Sequence, residues 1–192
     1  MQQHAARRAP EAVSERKRNS GAMPQSAIPM TEVLVVADAW QTEPDAEAAI
    51  QRAIAVAAEM VDADTGGAEL AVMLTDDTGI RTLNNNWRGI DKPTNVLSFP
   101  ALPPSGESPS DNDAPRMLGD IAIAYETTRR EADDEQKQFD HHLSHLAVHG
   151  FLHLIGYDHE KDQDAETMEA LETEIMMQLG IPDPYADRDR MD

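Results

Sequence analysis

Six of the seven histidines in the chain fall between positions 141 and 159, and three of them, His149, His153 and His159, stand in the stretch HGFLHLIGYDH. At about 3.6 residues per turn, a step of four brings His149 and His153 onto one helix face roughly 6 Å apart at the backbone, where two imidazoles can grip one ion. A third ligand from the same straight helix would meet the ion at the wrong bite angle, so the chain has to turn. Gly156 can take the left-handed conformation that ends a helix, and His159 then returns toward the ion from outside. Three protein nitrogens leave the fourth tetrahedral position for water, the arrangement of a catalytic zinc site and not of a closed structural one.

The chain has no cysteine, which excludes thiolate zinc sites, iron–sulfur clusters and disulfides and leaves His, Asp and Glu as the strong metal ligands. Zn2+ is the expected ion, one per chain, although three imidazoles also bind nickel or copper. His145 precedes His149 by one turn, but a stripe of i, i+4 positions drifts by about 40° per step. His141, His142 and His145 are therefore expected to support the site and not to ligate. Asp158 and Glu160 flank the third ligand and are candidate general bases, though an acid in that place more often orients an imidazole or caps a turn.

The spacing H-x3-H-x2-G-x2-H is that of the metzincin proteases, whose helix carries a glutamate directly after the first histidine. Here that position is Gly150. Without the carboxylate that deprotonates the zinc water, a contribution on the order of 10²- to 10⁴-fold, peptide hydrolysis is the weaker reading. The glycine suggests instead room beside the metal for a bulky or anionic substrate.

The elements that must position these residues can be read from periodicity. TEVLVVAD (31–38) suits a strand, and EPDAEAAIQRAIAVAAEMV an Ala-rich helix with Pro and acids in its first turn. AELAVMLTDD (68–77) reads as a second strand. DTGIRTLNNNWRG reads as a helix with Asp77 or Thr78 as N-cap and Gly89 as its stop. TNVLSFP (94–100) and LGDIAIAY (118–125) supply two more strands, separated by a Pro- and Ser-rich loop expected to be mobile over 101–117. From Glu126 to Ile155 the pattern is helical with a break expected near 134–140, because EADDEQKQ is polar all round. The second of these helices carries the histidines, and its apolar face mounts them rigidly on the core. DQDAETMEALETEIMMQLG (162–180) is an amphipathic helix with Met168, Leu171, Ile175 and Leu179 on one stripe, read as a packing helix.

At 192 residues the chain suits one domain, over 30–186, with a disordered extension at 1–29 and a tail at 187–192. The extension mixes Arg, Ala, Ser, Gln and Pro without periodicity, and Met23 or Met30 could equally be the biological start. No apolar h-region and no membrane-length apolar run is present, so a cytoplasmic protein is expected. The net charge is −20, and the basic extension leaves about −23 on the rest, which argues against broad non-specific binding to nucleic acid. An RNA-directed function needs a local basic patch, for which Arg81, Arg88 and Lys92 are the natural candidates.

HGFLHLIGYDH, together with LNNNWRGIDKPTNVLSFP, LGDIAIAYETTRREA and MEALETEIMMQLGIPDPY, resembles the signatures of the YbeY family of bacterial single-strand-specific endoribonucleases over about residues 31–186. The resemblance implies a zincin-like α+β fold, a single domain with a small mixed sheet of about four strands packed by helices. It implies zinc on His149, His153 and His159, and an essential arginine at Arg88 that holds or neutralises a scissile phosphate. The implied activity is metal-dependent cleavage of single-stranded RNA in maturation of small-subunit ribosomal RNA and in ribosome quality control. The implied partners are single-stranded RNA, the small ribosomal subunit and an assembly GTPase. Two other readings are a ribosome assembly factor with a structural metal and, more weakly, a zinc metalloprotease. One departure stands out: the family usually has Asp where this chain has Asn95, which can keep a hydrogen bond but not a charge.

Overall fold

The computed structural model describes residues 28–101, 116–159 and 161–186. Most of the expected N-terminal extension (1–27), of the expected mobile loop (102–115), the 187–192 tail and Glu160 lie outside the described residues. In chain order the elements are β1 (Met30–Val35), a 3-10 turn (Asp38–Thr42), α1 (Ala46–Met60), β2 (Ala68–Thr75) and α2 (Asp77–Arg88). They continue with β3 (Val96–Pro100), β4 (Arg116–Ala124), α3 (Tyr125–Asp134), α4 (Phe139–Leu154) and α5 (Asp162–Gln178).

The four strands form one mixed sheet in the order β1-β2-β4-β3. β1, β2 and β4 run parallel, and β3 pairs antiparallel to β4 at one edge. The α+β architecture with a four-stranded mixed sheet agrees with the sequence expectation. Alternation along the strands assigns the two faces. Leu70, Val72, Leu74, Ile121 and Ile123 share one core with Ile50 and Ile54 of α1 and with Leu143, Ala147 and Phe151 of α4. Leu97, Ala122 and Ala124 turn the other way and form a smaller core with Ile80 of α2.

α4 is buried along most of its length, with Leu143, Ala147, Val148, Phe151 and Leu152 at 0% exposure. Each large apolar side chain there is worth about 1.5–3 kcal/mol of burial, so the helix is mounted stiffly. The predicted break between the two helices falls at residues 135–138, where Gln136 takes a positive φ of 54°.

Three local details differ from the sequence expectation. β1 stops at Val35, because the chain turns into the 3-10 segment that buries Trp40, whose indole Nε1 donates to the Thr75 carbonyl at 2.8 Å. The cap of α2 is Asp76, not Asp77 or Thr78: its Oδ1 accepts from Gly79 N at 2.7 Å. Asp77 Oδ1 instead accepts from Thr127 N and Oγ1 at 3.1 and 2.6 Å, tying α2 to α3. β4 begins at Arg116, earlier than the apolar run, because its first residues pair with β2 through their backbones whatever their side chains are.

Candidate metal centre

His149 and His153 sit one turn apart on α4, with ring centroids 4.6 Å apart. The helix ends in a Schellman motif: Gly156 N donates to the His153 carbonyl at 3.2 Å and Tyr157 N to the Leu152 carbonyl at 3.0 Å. Gly156 has φ +100°, a conformation that a side chain would strain, and nothing lies within 4 Å of where its Cβ would stand. The turn brings His159 back, its ring 5.4 Å from His149 and 4.9 Å from His153. One ring nitrogen from each of the three lies within 4.8 Å of the others.

The hydrogen bonds set the tautomers. His149 Nδ1 lies 2.8 Å from Glu172 Oε1, and His153 Nδ1 lies 2.9 Å from the Tyr157 carbonyl. Both partners accept only, so each Nδ1 carries the proton and each Nε2 offers a lone pair. The two Nε2 atoms face one another at 3.1 Å. Two lone pairs at that distance repel, and a cation between them relieves the repulsion. Two nitrogens bound tetrahedrally at about 2.0–2.1 Å would stand about 3.3 Å apart, so the donor set fits a zinc-like ion.

Burial lowers the pKa of His153, as do the charges of His149 and His159, while the bond to Tyr157 opposes them. The neutral, metal-binding form is favoured.

Glu172 of α5 is fully buried and supports this arrangement. Its Oε2 meets His145 Nε2 at 2.8 Å and accepts a short hydrogen bond from the Tyr185 hydroxyl. Burial alone would raise its pKa, but the hydrogen bonds and charges of His145 and His149 outweigh that and hold the carboxyl down to about 2. The sequence reading took α5 for packing only. The signal for more was present, since Glu172 falls between Met168 and Ile175 on the apolar stripe, where an unpaired carboxylate is costly.

His145 therefore supports the site through Glu172. His142 is buried, with Nε2 3.0 Å from Glu131 Oε2. Asp158 Oδ1 accepts from His159 N at 2.7 Å and so caps the returning turn.

Gly150 does not open space beside the metal, contrary to the sequence expectation. A Cβ there would meet Ile121 Cγ2 at 3.0 Å, Ile121 Cδ1 at 3.1 Å and Ser98 Oγ at 3.2 Å. The glycine lets α4 press onto the sheet, and Ser98 Oγ donates to its carbonyl at 3.1 Å. A cavity of about 490 Å³ does adjoin His149, but it is lined by Asn95, Glu131, His142, His145 and Tyr185. Asn95 explains its own departure: Oδ1 accepts from Val96 N at 2.7 Å, as Asp could, and Nδ2 donates to Glu131 Oε2 at 3.0 Å, as ionised Asp could not.

Arg88 ends α2, on the sheet face opposite α4, and is exposed. Among the described residues its guanidinium makes no hydrogen bond or ion pair. Arg81 is held by Asp91 in a bidentate pair at 2.7 and 2.9 Å, so it contributes little free positive charge to the expected patch. No helix among the described residues is long and apolar enough to cross a membrane.

Residues 36–180 match the family model described as Endoribonuclease YbeY. The chain is 76% identical over 170 residues to Endoribonuclease YbeY of Bradyrhizobium sp. strain BTAi1, covering 88% of this chain and all of that one. It is 80% identical over 161 residues to Endoribonuclease YbeY of Bradyrhizobium diazoefficiens, covering 84% and 87% of the two chains. The solution structure of TM1509 from Thermotoga maritima is similar at a TM-score of 0.47 and 23% identity, over 79% of this chain and 92% of that one.

Proposed function

The chain belongs to the endoribonuclease YbeY family, and from that premise we propose that it cleaves single-stranded RNA with a zinc ion held by His149, His153 and His159. The observation that carries the metal assignment is the facing pair of Nε2 lone pairs, whose Nδ1 partners are committed to Glu172 and the Tyr157 carbonyl. When bound, such an ion polarises a phosphoryl oxygen or lowers the pKa of a water to about 7.

The protein's own residues have separate tasks in this reading. Glu172 and the Tyr157 carbonyl orient two imidazoles and keep their protons on the side away from the ion. Arg88, free of any ion pair among the described residues, takes the charge of an RNA phosphate through its bidentate fork. Three protein ligands leave a coordination position for water or substrate, which favours chemistry over a purely structural ion. Gly150 has no carboxylate to offer, which disfavours peptide hydrolysis. The proposed setting is maturation of small-subunit ribosomal RNA in the cytoplasm, with the small ribosomal subunit and an assembly GTPase as partners.

The test is cleavage of a labelled single-stranded RNA by metal-quantified protein. Wild type should cut, His153→Ala should lose both metal and cutting, and Arg88→Ala should keep metal but cut poorly. Three preparations that behave alike toward RNA, with only His153→Ala less stable, would make the metal structural and defeat the nuclease reading.

A further inference from the structure

The chain has two tryptophans, and they are opposites: Trp40 is 2% exposed and Trp87 is 72% exposed. Trp87 is the penultimate residue of α2, and its ring is steadied by Phe99, at 5.6 Å between centroids and 56° between planes. An indole left in water keeps a flat apolar face open to a ligand.

Its surroundings indicate which one. Among the described residues, Arg81, Arg116, Arg129, Arg130, Lys137 and Lys161 are all in ion pairs. The remaining cations are Arg52, Arg88 and Lys92, and two of these three follow Trp87 in sequence, one and five positions on. In a chain of net charge −20, the unpaired positive charge thus lies in the same short segment as an exposed aromatic ring. An indole face with cations beside it matches the flat face and phosphate of an unpaired nucleotide, the combination that single-strand binders use.

The patch also reaches the metal helix. Phe99, which steadies Trp87, follows Ser98 on edge strand β3, and Ser98 Oγ bonds the carbonyl of Gly150, the neighbour of His149. Adjacent strand residues point to opposite faces, so Trp87 and His149 lie on either side of one edge strand.

We propose that Trp87 is a stacking platform for an unpaired base of the RNA substrate, which crosses the edge of β3 from the metal centre to the end of α2. This rests on the endoribonuclease reading above and adds to it a physical source of single-strand preference. A base inside a duplex already stacks on its neighbours and cannot offer its face to an indole.

The test uses the full chain carrying His153→Ala, so that RNA is bound without being cut. Titration with a single-stranded oligoribonucleotide should quench the exposed tryptophan, while the same sequence as a duplex should not. Trp87→Leu should weaken single-strand binding by about 5- to 150-fold, as loss of one stacked base would, and Trp87→Tyr should restore most of it. In the otherwise wild-type chain, Trp87→Leu should raise KM more than it lowers kcat at unchanged metal content. Equal binding by wild type and Trp87→Leu, or equal losses for single strand and duplex, would overturn the platform while leaving the nuclease reading intact. If metal-loaded wild type neither binds nor cuts any RNA, both fail.

Discussion

Glu172 and His149 meet through a 2.8 Å hydrogen bond between helices α5 and α4, and the carboxylate that makes it has no exposure to solvent. The same carboxylate holds His145 and Tyr185, so α5 anchors the histidine-bearing face of α4 from behind.

Glu172→Gln should therefore lower zinc affinity by about 10- to 100-fold, the usual loss when the partner of a metal-binding imidazole is changed. Glu172→Ala should also reduce stability, by about 2–4 kcal/mol, because two half-buried imidazoles lose their acceptor. Competition against a chromophoric chelator and urea denaturation of the metal-free protein check the two effects. Unchanged zinc affinity in both variants would remove Glu172 from the site.

Gly150→Ala should be destabilising by about 1–3 kcal/mol, since the new methyl meets Ile121 at 3.0 Å and Ser98 Oγ at 3.2 Å. Gly150→Glu should fold poorly or not at all, and it should not create a protease. Normal urea midpoints for both would mean that α4 can lift from the sheet at no cost.

The metal-free protein should lose stability on acidification in two stages. The pKa of His153 is lowered by burial and by its neighbouring histidines, so its contribution is present above about pH 6.5 and is lost as the pH falls below that. Glu172 is held at about 2, and its contribution is present above about pH 4.5 and is lost as the pH falls toward 2. That second stage is worth on the order of 3 kcal/mol. Urea midpoints measured from pH 8 to pH 3 should fall throughout, and a maximum near pH 4 would contradict the assignment.

Asn95→Asp should cost about 1–3 kcal/mol at neutral pH, because it exchanges a donated hydrogen bond for a second carboxylate 3.0 Å from Glu131. The repulsion raises one of the two carboxyl pKa values, so the penalty should shrink as the pH is lowered through about 5. A pH-independent difference from wild type would show that charge is not its cause.

Most of the fold was legible because its elements are amphipathic with clear stops. α1, β2, β3 and the α3–α4 break fall within a few residues of their periodic patterns, and Gly89 ends α2 at φ +70°. The 3-10 turn around Trp40 was missed, since it is held by long-range contacts: the bond to the Thr75 carbonyl and packing on Tyr125 and Phe139. Asp76 was passed over as the cap of α2 because three acid or hydroxyl residues in a row are equivalent until a partner on α3 claims one of them.

At the site, the sequence by itself determined how the three histidines converge, because His149, His153, Gly156 and His159 lie within eleven residues and helix periodicity with one left-handed turn brings them together. Tertiary structure alone decided what lies behind and beside them. Glu172 reaches His149 only because α5 folds back on α4, Gly150 is required by the sheet beneath it, and Arg81 is neutralised by Asp91. Local spacing is a property of one helix and its cap, whereas burial, ion pairing and close approach arise between elements whose distance apart no single stretch of sequence encodes.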